Sequence, residues 1–202
     1  KDAGLDVDES SQMVHFDRNL VLSNISKAPK EFTLRAKNPK RDLKIGGNHI
    51  VFSAIGGPAF CSDLDEGRRR GTFEDLCNYM KIIQSLNIIH QEGGMAFETI
   101  ELPSETRHLD FYLAQFQLLD KNCQSSPMGK VRTKDCIDMH RIAFDCTRKQ
   151  LVENPSIMGI INTNSPMQLD IPMSEATIEL ARAGQAVCVT PFTLSGAMAP
   201  IK

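Results

Sequence analysis

The 202-residue sequence predicts an α/β fold of strand–helix–strand units around a parallel sheet, and three observations carry that reading. Short apolar runs with little polar alternation begin near residues 50, 87, 123, 157 and 186, as strands buried on both faces do. Helical periodicity separates each run from the next. The spacings of 37, 36, 34 and 29 residues leave room for one crossover helix each. Five strands with four helices fit an open doubly wound sheet, or just over half of an eight-stranded barrel of ~250 residues. Periodicity alone leaves both open.

The elements follow in order. Asp17 is an N-cap and Pro29 a stop for a short helix over 17–28. Residues 31–35 and 43–45 are strand candidates, and Gly46-Gly47-Asn48 predicts a tight hairpin turn into a strand over 49–55. Thr72 caps a helix, with Asp75 in a variant capping box and Leu76, Tyr79, Met80 and Ile83 on one face. Residues 87–90 read as a strand closed by Gly93-Gly94. Pro103 and Ser104 open a helix whose Leu109, Tyr112, Leu113, Phe116 and Leu119 share a face. A strand over 123–126 precedes one long helix over 133–152, ended by Pro155. A strand over 157–161, a helix from Pro172 and a strand over 186–190 complete the pattern. Residues 1–48 lie outside the repeat and are expected to form a small N-terminal cap on the unit over 49–202.

Composition narrows the class. With 41% hydrophobic and 24% charged residues, a chain of this length can bury about 70% of its unfolded surface. Lys plus Arg is 23 against 25 Asp plus Glu, a net charge of −2, which argues against nucleic-acid or anionic-membrane partners. No uninterrupted apolar stretch reaches the ~18 residues of a membrane span. The six cysteines lack CxxC spacing and read as free thiols of a reducing cytoplasm. The acidic start at Lys1-Asp2-Ala3-Gly4 is no signal peptide, and the chain stops just after a strand pattern. It is expected to be a fragment cut at both ends.

In either α/β architecture, ligands bind at the carboxyl ends of the strands. That selects Gly56, Gly57 and Pro58; His90, Gly93 and Gly94; Ser125 and Ser126; Asn162, Thr163 and Asn164; and Thr190, Pro191 and Phe192. Ordinary turn chemistry favours the same residue types. His90 is the best general acid or base, with a hydrogen-bonded structural histidine as the alternative. His15 and His49 lie in the leading region, and His108 and His140 fall on helices. No HExxH and no histidine pair at ligand spacing suggests a metal. Arg68, Arg69 and Arg70 after Asp63, Asp65 and Glu66 form either a self-paired loop or a rim for an acidic partner. The P-loop, GxGxxG and GxSxG motifs are absent. Asp138-Met139-His140-Arg141-Ile142-Ala143 approaches the cobalt-ligating Asp-x-His-x-x-Gly of corrinoid modules, but Ala ends it and a helix pattern encloses it.

Phrases along the chain add a resemblance. They begin with Gln12-Met13-Val14-His15-Phe16-Asp17, then Glu31-Phe32-Thr33-Leu34-Arg35-Ala36-Lys37-Asn38-Pro39 and Ile45-Gly46-Gly47-Asn48-His49. Gly67-Arg68-Arg69-Arg70-Gly71-Thr72, Thr106-Arg107-His108-Leu109-Asp110 and Ile161-Asn162-Thr163-Asn164-Ser165-Pro166 follow. The last is Thr190-Pro191-Phe192-Thr193-Leu194-Ser195-Gly196-Ala197-Met198-Ala199-Pro200. In this order they resemble the trimethylamine methyltransferase family of corrinoid-dependent enzymes. The resemblance implies a partial (β/α)8 TIM barrel of about five strands behind the N-terminal cap. It implies transfer of a methyl group from trimethylamine, or a related methylated amine or betaine, to cobalt of a corrinoid on a small partner protein. The chain itself would bind no cofactor or metal, and a homo-oligomer is compatible. The expected cavity residues are Gly56, Gly57, His90, Asn162, Asn164, Thr190 and Phe192, with the catalytic residues beyond Lys202. Asp170 and Glu92 are the carboxylates in neighbouring loops that could face a methylammonium group. A barrel aldolase or isomerase is the rival chemistry, but no lysine occurs in the five strand cores. A barrel that kept the fold as a sensor or binding protein is the non-catalytic rival.

Overall fold

The computed structural model describes residues 1–125, 128–164 and 168–191 and shows a mixed α/β architecture. Its central sheet is parallel and in sequential order: β7 (Cys123–Ser125), β8 (Ile157–Thr163) and β9 (Ala186–Pro191). Two isolated parallel bridges, Ser53 to Gln91 and Gln91 to Asn122, continue the same order backward along the chain. Burial alternates along β8, with Ile157, Gly159 and Ile161 buried and Met158, Ile160 and Asn162 half-buried on the other face.

Helices cover the first of these faces. They are α2 (Phe73–Ser85), α3 (Arg107–Leu118), α4 (Gly129–Ala143), α5 (Arg148–Glu153) and α6 (Ile171–Arg182). Leu76, Met80 and Ile83 of α2 join Phe111 and Tyr112 of α3, Cys136 of α4, Ile157 of β8 and Leu180 of α6 in one buried cluster. Each large apolar side chain sealed there contributes roughly 1.5–3 kcal/mol. The capping box at Thr72 and Asp75 forms as expected, with Asp75 N–H on Thr72 Oγ1 and Thr72 N–H on Asp75 Oδ2.

The first 48 residues hold α1 (Arg18–Ile25), capped by Asp17, and two antiparallel hairpins. These are β1 (Asp6–Asp8) with β2 (Met13–His15), and β3 (Glu31–Leu34) with β4 (Leu43–Gly46). The latter hairpin docks at the amino ends of the parallel strands. Arg35 N–H donates to Pro155 O, Asn38 N–H to Asp120 O, and Asn122 Nδ2 to Arg35 O.

Several expectations need correction. The strand expected over 49–55 shrinks to the single bridge position Ser53, and residues 87–90 form no strand, the bridge falling one residue later at Gln91. A side chain has entered the ladder: Phe52 N–H donates to His90 Nδ1, while Phe52 O accepts from both His90 and Gln91. Ile50, Phe52 and Ile55 are 76%, 50% and 71% exposed, so that run is not buried on both faces. Gly46-Gly47-Asn48 makes a turn, but β4 pairs backward with β3, because Asp42 accepts from Arg35 Nη1 and Ala36 N–H and closes the connection between them. The third helix starts at Arg107, since Pro103 O is taken up in a turn by Thr106 and Arg107. A hairpin of β5 (Cys61–Asp63) and β6 (Gly67–Arg69) fills the connection before α2.

The helix over 133–152 is instead α4 and α5. Asp145 adopts φ 46, and Thr147 opens a new capping box with Gln150. A left-handed non-glycine residue is strained, so Asp145→Gly is expected to stabilise the protein by about 1 kcal/mol in urea unfolding.

Candidate functional site

Strand alternation assigns the candidate residues to faces. Cys123 and Ile157 face the helices, so Asn122, Gln124, Met158, Ile160, Asn162 and Thr190 lie on the opposite face. That face carries a graded polar stripe. At the amino end Gln91 Nε2 donates to Asn122 Oδ1 at 2.7 Å, and Asn122 Nδ2 donates to Arg35 O and Ser156 O. One step up, Gln124 Nε2 donates to Ser53 Oγ at 3.0 Å. At the carboxyl end Thr190 Oγ1 donates to Asn162 Oδ1 at 2.5 Å.

Thus Asn162 and Thr190 come together, as register partners on β8 and β9. Asn164 lies on the surface beyond them, where its backbone pairs with Gln168 and its Nδ2 donates to Asp170 Oδ2 at 3.3 Å. Asp170 itself caps α6 through Met173 N–H. His90 uses Nδ1 to accept Phe52 N–H, so its neutral ring carries the proton on Nε2. Phe192 and Ser126 lie outside the described residues.

The glycines meet each other. A Cβ on Gly56 would lie 2.3 Å from Gly93 O, and one on Gly93 would lie 1.8 Å from Ala54 O. Gly57 N–H donates to Met95 O at 2.9 Å. The close approach these glycines permit is therefore between two loops at the carboxyl ends of neighbouring sheet positions.

Glu92, beneath those loops, is fully buried on the helix side. Its Oε2 accepts from Gly94 N–H at 2.8 Å and Gln115 Nε2 at 2.6 Å. Burial among neutral donors pushes its pKa up to about 8. The arginine cluster is self-paired on one side, where Arg69 reaches Asp63, Glu66 and Asp75. Alternation turns Arg68 and Arg70 the other way, over the Phe60 ring at 4.1 and 4.5 Å.

His140 of the corrinoid-like phrase is 1% exposed inside α4, with Nδ1–H on Cys136 O at 2.9 Å and its ring stacked on Phe144. It is a core group. Among the described residues, no three His, Cys, Asp or Glu side chains form a metal site, and no helix is long and apolar enough to cross a membrane.

Sequence reasoning missed Gln91, Gln115, Asn122 and Gln124. For Gln115 the available signal was an amide directly following the apolar run Phe111-Tyr112-Leu113-Ala114, where burial demands a partner.

Known proteins bear directly on this arrangement. The family model for trimethylamine methyltransferase (MTTB) matches residues 1–202. A glycine betaine methyltransferase of Desulfitobacterium hafniense strain Y51 is 33% identical over 93% of this chain and 39% of its own length. A trimethylamine methyltransferase MttB of Desulfitobacterium hafniense strain DSM 10664 / DCB-2 is 26% identical over 99% of this chain and 40% of its own length. The chain thus spans about two fifths of the length of these relatives. With all 202 residues matched, the chain belongs to the trimethylamine methyltransferase family.

Proposed function

We propose that the full-length protein transfers a methyl group from trimethylamine, or a related methylated amine or betaine, to cobalt(I) of a corrinoid held by a small partner protein. The observation that carries this reading is the family match along the whole chain, with relatives named for trimethylamine and glycine betaine. The parallel order of Ser53, Gln91, β7, β8 and β9 supports residues 49–202 as the first part of a (β/α)8 barrel, behind a cap of residues 1–48. The corrinoid acts here as a substrate. Six free cysteines suit a reducing cytoplasm.

A tetraalkylammonium carbon is a poor electrophile, so the protein's task is to orient one methyl group in a water-poor cavity. This chain would supply a wall of that cavity. Asn162 and Thr190 form its polar rim, and the loops around Gly57 and Gly94 shape the neighbouring edge. His90 stiffens that edge through Phe52.

Incubating the full-length protein with a methylated amine, reduced cobalamin and a cognate corrinoid protein should convert cob(I)alamin to methylcobalamin, read by absorbance. Inactivity across trimethylamine, glycine betaine and related compounds would sink the reading. Asn162→Ala should lower transfer roughly tenfold with little change in melting temperature, because Thr190 Oγ1 retains Ile161 O as an acceptor.

A further inference from the structure

Resting on that reading, we propose that the outer face of the β5–β6 hairpin is a docking surface for the small corrinoid protein, and that Arg68 and Arg70 receive a carboxylate cluster on that partner.

The hairpin sorts its charges by face. Cys61 pairs with Arg69, Ser62 with Arg68 and Asp63 with Gly67, so the pleat puts Arg69 and Asp63 on one side and Ser62 and Arg68 on the other. On the first side Arg69 gathers Asp63, Glu66 and Asp75, and Asp75 is also the capping-box carboxylate of α2. That network fixes the hairpin to a helix start. At its base Gly71 is pressed on Phe97 of the core, where a Cβ would lie 2.1 Å from the ring. On the second side both guanidiniums lie over Phe60 and are exposed, and neither has an ion-pair partner among the described residues. Arg70 Nη1 donates to Ala59 O at 3.3 Å. The remaining carboxylate, Asp65, sits in the turn. Stacking on a ring leaves the N–H edges of a guanidinium open to bidentate contact with a carboxylate. Two such groups, held ready without carboxylates of their own, are preorganised for an anionic surface.

Position selects the occupant. The hairpin lies in the connection between Ser53 and α2, which includes the Gly56-Gly57 loop of the carboxyl-end rim. Cobalt reaches a methyl group at that rim only if the corrinoid protein sits over it. A partner that leaves after each transfer favours charged, exposed contacts that speed encounter, whereas a permanent cover from the rest of the chain favours an apolar face. Leu64, fully exposed at the hairpin tip, and the open part of Phe60 supply a small apolar centre.

The test compares two methyl acceptors, the cognate corrinoid protein and free cob(I)alamin, in the full-length protein and its Arg68→Glu/Arg70→Glu variant. The variant should raise KM for the corrinoid protein roughly tenfold or more, and weaken its binding as much in a calorimetric titration. Its kcat, its turnover with free cob(I)alamin and its melting temperature should match wild type. In wild type, KM for the corrinoid protein should rise with salt from about 50 to about 500 mM, and the variant should flatten that slope. An unchanged KM and affinity would overturn the proposal. An equal loss with both acceptors, or a melting temperature several degrees lower, would also overturn it by assigning this face to contacts within the chain. If no methylated amine is turned over with either acceptor, the proposed reaction fails, while the titration still decides whether the arginines hold the corrinoid protein.

Discussion

Replacing Lys121 with Met is expected to destabilise the protein by about 3–5 kcal/mol, as breaking a buried charged network does. Lys121 is 2% exposed, yet its ammonium has three acceptors. Nζ donates to Ile83 O at 2.6 Å, Leu86 O at 2.7 Å and Ile89 O at 2.7 Å. The first two carbonyls end α2, where the helix dipole favours a cation. Met fills the aliphatic path but removes three charge-assisted bonds: Ile83 O and Leu86 O keep only the Leu86 and Ile89 amides, and Ile89 O loses its donor, an orphan that costs about 1–3 kcal/mol. Arg in place of Lys should be nearly as damaging, because a planar fork cannot meet three converging carbonyls. Urea unfolding measures it. A loss under about 1 kcal/mol would show that water replaces the ammonium.

Acid should unfold the protein through His140. Burial lowers its pKa from the ordinary 6.5 to about 4, because the imidazolium would sit among Phe116, Tyr112 and Phe144. Above pH 6.5 the ring is neutral in both states and the full stability is present. As pH falls from 6.5 towards 4, the unfolded chain binds a proton that the native ring refuses. The loss over that window is about 3 kcal/mol. Glu92 acts in the opposite sense: its folded pKa is raised from 4.5 to about 8, so its contribution is full below 4.5 and lost as pH rises towards 8. His140→Phe should therefore flatten the acid limb alone, and Glu92→Gln the alkaline limb alone. Unfolding curves at closely spaced pH values would separate them. An unchanged acid limb in His140→Phe would assign it to another group.

Features governed by neighbours in the chain are legible in the sequence. Asp17 and Thr72 cap the helices whose starts they mark, because an N-cap needs only a side-chain oxygen within three residues of a free amide. The apolar face at Leu76, Met80 and Ile83 is buried as its spacing requires. The break at Thr147 is equally local, since Thr147 and Gln150 spell a capping box, but a continuous apolar face masks it. The strand patterns after 120 form a parallel ladder, whereas those over 49–55 and 87–90 do not. An apolar run states that a segment would gain from burial; it does not state that a neighbour covers it.

The site divides along the same line. Position at strand ends selects Asn162 and Thr190, and register places them side by side. The same reasoning selects Gly56 to admit a ligand, and what it admits is Gly93, 37 positions further along. Glu92 reads as a carboxylate for a cation, but the pleat turns it towards α3 and leaves Gln91 on the polar face. By itself the sequence determined the order of the parallel strands after residue 120, the helix caps at Asp17 and Thr72 and the family, because those reside in local spacing and in the residues themselves. Tertiary structure alone decided which face each polar side chain takes and what fills the space beside each glycine. Those outcomes depend on contacts between segments tens of residues apart, and in a strand a shift of one position exchanges the two faces.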